Sequence, residues 1–141
     1  MLHRPNQDII EFVHRLAEVG SNYRMDEMVD LYADDLGFLV LTNDGEITRF
    51  SKETMMDEFR ARRDAGEKPL STEKRILHVE EQGDDATVIL YRRMSPKADA
   101  AFYELRLKKI GGSWLVVGET VLPWPDLRKA RGFLPPRERG V

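Results

Sequence analysis

Apolar residues in the first third of the chain recur at helical spacing. Ile9, Ile10, Val13, Leu16 and Ala17 share one face of a first helix, which Asn6 can cap and Gly20 can end. Met25, Met28, Val29 and Tyr32, at i, i+3, i+4 and i+7, predict a second, short helix. Asp34 and Asp35 are read as its exit, since acidic groups are unfavourable at the negative end of the helix dipole. "LGFLVLTNDGEITRF" then suits a β-ribbon, with Asp44-Gly45 as the turn that folds Ile47 back. A third helix starts at Ser51 as cap, with Glu53 in its first turn, Met55, Met56 and Phe59 inward, and a stop near Gly66.

From residue 72 the period changes. "EKRILHVEE", "ATVILYRRM", "AFYELRLKKI" and "SWLVVGETVL" read as four strands in meander order, separated by Gly83-Asp84, "SPKADA" and a Gly111-Gly112 hairpin turn. Helices first and antiparallel strands afterwards make an α+β arrangement, with three N-terminal helices packed on a curved, mainly antiparallel sheet. Residues 1–122 form one domain on this reading, and residues 123–141 a Pro- and Arg-rich tail.

Charge sharpens that division. The tail holds Arg128, Lys129, Arg131, Arg137 and Arg139 against Asp126 and Glu138, so the net −3 of the 141 residues divides into +3 on the tail and −6 on the remainder. An acidic body argues against nucleic acid as a partner, because phosphate contact needs concentrated Lys and Arg. The absence of cysteine excludes disulfides, thiolate catalysis and cysteine-held metals. No apolar run reaches the roughly 18 residues of a membrane span, and "MLHRPNQDII" lacks the apolar stretch of a secretory signal. A soluble cytoplasmic protein is expected.

"MDEMVDLYADDLGFLV", "NDGEITRFSKETMMDEF" and "LRLKKIGGSWLVVGETV" resemble the nuclear transport factor 2-like superfamily, which includes SnoaL-like cyclases and ketosteroid isomerases. The resemblance covers residues 7–122 and implies a cystatin-like cone fold that dimerises through its sheet. In the isomerase branch it would also imply a base about five residues past the acidic pair. That neighbourhood is Phe38-Leu39-Val40-Leu41 and contains no acid, so an isomerase-type proton shuttle is not expected.

Parity on the last strand groups Trp114, Val116, Gly118 and Thr120 on one face, and Leu115, Val117, Glu119 and Val121 on the other. Both faces are apolar, which suits one toward a pocket and the other toward a partner. His78, in "RILHVEE", is a candidate acid or base, because a histidine side chain can serve in either form, with Glu119 as a second; a plain sheet histidine is the competing reading. Tyr32, Phe59, Tyr91, Tyr103, Trp114 and Trp124 are the candidate ligand-contacting aromatics. Glu104, Arg106 and Arg92 can form an ionic ladder across two strands, Arg60, Arg62 and Arg63 the outer face of the third helix, and His14 a helix flank. No cofactor is expected: three histidines lie without a His/Asp/Glu cluster, and "IGGSW" has neither the spacing nor the following helix of a nucleotide-binding glycine motif.

Three functions fit this reading, in decreasing order of support. The first is a homodimeric binder of a small, largely apolar molecule. The second is a cofactor-independent isomerase, cyclase or dehydratase using His78 with a tyrosine or Glu119. The third is a dimeric interaction module whose tail contacts an acidic partner.

Overall fold

The structure is a computed structural model and describes residues 7–42, 44–96 and 100–123. Asn6, Trp124 and the rest of the basic tail, to which a cap, a ligand contact and a partner contact were assigned above, lie outside the described residues.

Helix α1 (Gln7–Ser21) turns Ile9, Val13, Leu16, Ala17 and Val19 inward. Full burial of each larger aliphatic side chain contributes roughly 1.5–3 kcal/mol, so this face anchors the helix. Helix α2 (Met25–Met28) is a single turn continued by a 3-10 turn, Val29–Leu31, with Met25, Met28 and Leu31 buried. Helix α3 (Lys52–Asp64) starts where Ser51 Oγ accepts a hydrogen bond from the Thr54 N–H at 3.1 Å. It ends before Gly66, whose φ of +71° a side chain would disfavour.

Six strands follow the order β2-β1-β6-β5-β4-β3. They are β1 (Tyr32–Leu41), β2 (Ile47–Phe50), β3 (Lys74–Gln82), β4 (Asp85–Arg92), β5 (Ala101–Ile110) and β6 (Ser113–Pro123). The expected meander runs from β3 to β6 and the expected ribbon is β1–β2; the two join where β1 pairs parallel with β6. One apolar core contains Ile9, Val13, Met28 and Met56 from the helices and Val88, Leu105, Leu107 and Val116 from the sheet. The chain is thus α+β, with its helices and one sheet face sharing a core.

The acidic pair corrects an expectation. Asp34 and Asp35 do not end a helix; they are exposed residues of β1, and Tyr32 already has extended backbone, φ −121° and ψ 140°. Pairing with β6 overrides the helical stripe. Tyr32 pairs with Val116 and Gly37 with Gly118, so the ladder breaks over the residues between them. Lys52 Nζ secures this outlying stretch by donating to Tyr32 O at 2.8 Å and to Asp34 at 3.2 Å.

Two β-bulges set the faces of the sheet. In β6, Gly118 pairs with Arg106 and Val116 with Leu107, which leaves Val117 as an extra residue. In β3, Ile76 pairs with Leu90 and His78 with Ile89, which leaves Leu77 extra. Each bulge inverts the side-chain alternation beyond it. Trp114 and Val116 therefore share the core face with Glu119 and Val121, and not with Gly118 and Thr120 as plain parity predicts.

Candidate functional site

Between the helices and the sheet lies a cavity of about 770 Å³, within the range of small-molecule sites. Its walls come from Val13, Leu16 and Ala17 of α1, Met55 and Phe59 of α3, Phe38 and Val40 of β1, and Leu90, Leu105 and Val121 of the sheet. The segments 67–70 and 94–96 border it as well.

Tyr23 fixes one of these borders. It has a left-handed backbone, φ +55°, which a bulky residue adopts only when its surroundings hold it there. Its ring is buried 6.3 Å from that of Phe59, and its hydroxyl donates to Lys68 O at 3.0 Å. Segment 67–71 is tied further by Leu70 N–H to Ser21 O, 2.9 Å, and Ser71 N–H to Met94 O, 2.7 Å.

From the sheet, four polar side chains enter the lining: Glu119 from β6, Tyr32 from the start of β1, Tyr103 from β5 and Arg92 from the end of β4; Glu58, Arg62, Glu67 and Lys68 border the cavity from α3 and the segment after it. Glu119 is 6% exposed, and burial pushes its carboxyl up to about 7, against weaker opposing pulls from Arg92 and Arg106. Burial also raises both tyrosine hydroxyls, and the charge of Glu119 adds to that rise. Both phenols are therefore protonated donors at neutral pH. Arg92 Nη2 donates to Ser21 Oγ at 2.5 Å and to Ser71 O at 3.2 Å, while its Nε is buried with no hydrogen-bond partner among the described residues.

The cavity brings together some of the candidate residues and leaves others apart. Tyr32, Phe59, Tyr103 and Glu119 all line it. His78 does not: the bulge at Leu77 turns it to the outer sheet face, where its side chain is 57% exposed and lies 3.5 Å from Glu80. Tyr91 is also on that face, edge-on to Phe102. Trp114 is buried on the core side without bordering the cavity, and Lys109 Nζ lies 5.8 Å from its ring centroid. The expected ionic ladder divides across the sheet: Arg106 joins Glu104 at 2.5 Å and Thr120 at 3.0 Å on the outer face, while Arg92 faces the cavity. His14 is exposed on α1, and Arg62 borders the cavity while pairing with Glu58 at 3.3 Å.

Reading the chain placed Arg92 in an ionic ladder, whereas the structure places it at the cavity. Its signal is the alternation Ala86, Val88, Leu90, Arg92, three buried apolar positions followed by a fourth of the same parity. Among the described residues no group of His, Asp and Glu could hold a metal ion, and no helix is long and apolar enough to cross a membrane.

The sequence matches no protein-family model and no curated protein. Solved structures do match. An NTF2-like protein of unknown function from Shewanella baltica superimposes with a TM-score of 0.69 at 17% identity, over 84% of this chain and 93% of its own. A cystatin-like protein of unknown function from Nostoc punctiforme gives 0.58 at 21%, over 85% and 91%. This chain has the NTF2-like fold. The β subunit of benzoate 1,2-dioxygenase from Burkholderia mallei shares it, with a TM-score of 0.60 at 18% identity over 85% and 91%. One NTF2-like fold thus serves different proteins, and function has to be argued from the cavity.

Proposed function

We propose that the protein binds a small, largely apolar molecule in the cavity between its helices and sheet. The observation that carries this reading is a cavity of about 770 Å³ whose walls are mainly aliphatic and aromatic, with Glu119, Arg92 and two tyrosines entering from the sheet and further charged side chains at α3 and the segment after it. Binding sites have that composition: apolar surface supplies affinity and a few polar groups fix orientation. Native mass spectrometry of the purified protein against its denatured mass tests it. A reproducible added mass, or binding of small aromatic probes by the empty protein, supports the reading; a protein that carries nothing and takes up no probe overturns it.

A second reading is a cofactor-independent proton-transfer enzyme of the isomerase, cyclase or dehydratase type. Glu119 favours it, since a buried carboxyl with its pKa near 7 beside two phenols can both give and take a proton. His78, exposed on the other face of the sheet, has no part in this version.

We also propose that the outer sheet face makes a homodimer. Leu77, Ile89 and Leu122 are 42%, 36% and 41% exposed there, apolar side chains that a partner's sheet would cover. Sedimentation of wild type and Ile89→Glu tests it: a dimer that the substitution dissociates supports the assembly, and a wild-type monomer overturns it.

A further inference from the structure

The outer sheet face carries a second polar cluster, apart from the cavity. Gly37 of β1 and Gly118 of β6 are register partners in the parallel ladder. Both face outward, since Leu36 in the core and Phe38 at the cavity flank Gly37, and Glu119 at the cavity follows Gly118. Arg49 of β2 reaches Gly37 and Arg106 of β5 reaches Gly118, so the two guanidiniums approach the central pair of strands from opposite flanks.

Three distances set the orientation of each guanidinium. From the Cβ position of Gly118, Arg106 Nε and Nη2 stand at 2.5 Å and Cζ at 2.8 Å; from that of Gly37, Arg49 Nε, Nη2 and Cζ stand at 3.3, 3.4 and 3.7 Å. In both cases the two nitrogens are nearer than the carbon. The Nε and Nη2 edge, a fork of two N–H donors, therefore points at the space over the glycine. Neighbouring strands are about 4.8 Å apart, so the two forks converge on one small space whose floor has no side chains.

These donors are not taken up by the protein. Glu104 and Thr120 accept from Arg106 at Nη1, and among the described residues nothing accepts from its Nε or Nη2. Arg49 has no ion pair there, and its one hydrogen bond runs from Nη2 to Leu36 O at 3.5 Å, the long limit of such a bond. Two guanidiniums and the Glu104 carboxylate leave one positive charge in excess.

Shape selects among anions. A carboxylate has one edge of two oxygens, which a single fork uses up. A tetrahedral phosphate has two opposite edges, one for each arginine. We propose that the outer sheet face holds a binding site for a phosphate group, gripped by the Arg49 fork on one side and the Arg106 fork on the other over the floor of Gly37 and Gly118. The glycines belong to the site because a side chain at either would fill the space at which the forks point. Glu104 opposes an anion there, but it meets Arg106 at Nη1 and leaves the fork clear. The site is independent of what the cavity holds. It spans β2, β1, β6 and β5, whereas the apolar side chains assigned to the dimer lie on β3, β4 and the end of β6, so the two can share the face.

Nitrogen-15 NMR of the arginine Nε–Hε groups in the full chain reads the two forks directly. Inorganic phosphate and acetate are titrated near neutral pH at constant ionic strength, which keeps screening out of the comparison. Phosphate is expected to shift Arg49 and Arg106 with one shared midpoint, and acetate to require at least about tenfold more. Arg49→Lys keeps the charge and loses the fork, and should weaken phosphate about tenfold as read at Arg106. Gly118→Ala keeps both charges and puts a methyl group where the Arg106 fork lies, and should weaken phosphate as well. Separate midpoints for the two arginines, acetate equal to phosphate, or no saturable shift overturns the proposal. So does a response unchanged in either variant; should Gly118→Ala fail to fold, Arg49→Lys, at an exposed position, decides alone.

Discussion

The Arg106 guanidinium lies directly over Gly118, with Nε and Nη2 each 2.5 Å from where a Cβ on that glycine would stand. Gly118 follows the bulge residue of β6 and precedes Glu119, so its missing side chain lets Arg106 lie flat and reach Glu104 and Thr120. A methyl group at position 118 must displace the guanidinium, which is flexible and partly exposed, so the backbone need not move.

Gly118→Ala is therefore expected to destabilise by about 1 kcal/mol, the scale of a hydrogen-bonded network on a partly exposed surface. Urea unfolding of Gly118→Ala, Arg106→Ala and the double variant checks it. The double variant should lose less than the sum of the singles, because the methyl group has nothing to displace once the guanidinium is gone. Strict additivity would show that the contact has no energetic role.

The cap of α3 gives a simpler expectation. Ser51 Oγ accepts from the Thr54 N–H and also donates to Thr54 Oγ1 at 3.1 Å. Ser51→Ala leaves that first-turn N–H to solvent and should lower stability by about 1 kcal/mol, while Ser51→Asp should retain it. Thermal or urea unfolding of both variants distinguishes loss of the cap from a general intolerance of position 51.

These elements were legible in the sequence because local chemistry determines them. Ser51 and Gly66 bound α3, Asp44-Gly45 turns the ribbon, and paired glycines turn the last hairpin, each through its own backbone or side chain. The faces of β3 and β6 were not legible, because one extra residue in a ladder, Leu77 or Val117, is decided by pairing with a distant strand. Plain parity therefore put Glu119 with Val117, when the two lie on opposite faces. Arg92 was legible from the unbroken alternation of β4, but was grouped by charge with Glu104 and Arg106. Tyr32 is a like case: its spacing from Met25 and Met28 is helical, yet pairing with Val116 makes it a strand residue.

Glu119 makes stability depend on pH in a known direction. Burial pushes its carboxyl from an ordinary 4.5 up to about 7 in the folded protein, so the folded state holds the proton more tightly than the unfolded chain does. Below 4.5 both states are protonated and the group contributes nothing. As pH rises from 4.5 to about 7 the unfolded chain releases its proton first, and stability falls by up to about 1.4 kcal/mol per unit, reaching a loss of about 3 kcal/mol above pH 7. Glu119→Gln should therefore be more stable than wild type at pH 8, with the difference closing toward pH 5, as read by urea unfolding across that range. A wild-type slope unaltered by the substitution would assign the titration to other groups.

Arg92 connects that titration to the wall of the cavity. Its Nη2 binds Ser21 Oγ at the end of α1 and Ser71 O in the segment that follows α3, so one guanidinium ties together two borders of the cavity. It is also the first of the charges that pull the Glu119 carboxyl down against the effect of burial. Arg92→Met keeps most of the apolar stem and removes the charge and both hydrogen bonds. Two separable effects are expected. Stability at pH 5, where Glu119 is mostly protonated, should fall by about 1–3 kcal/mol from the lost bonds to Ser21 and Ser71. The Glu119 midpoint, followed by carbon-13 NMR of its carboxyl, should move upward, since the cation that favoured the ionised form is gone. An unmoved midpoint would mean that Arg92 acts on the cavity through its hydrogen bonds alone.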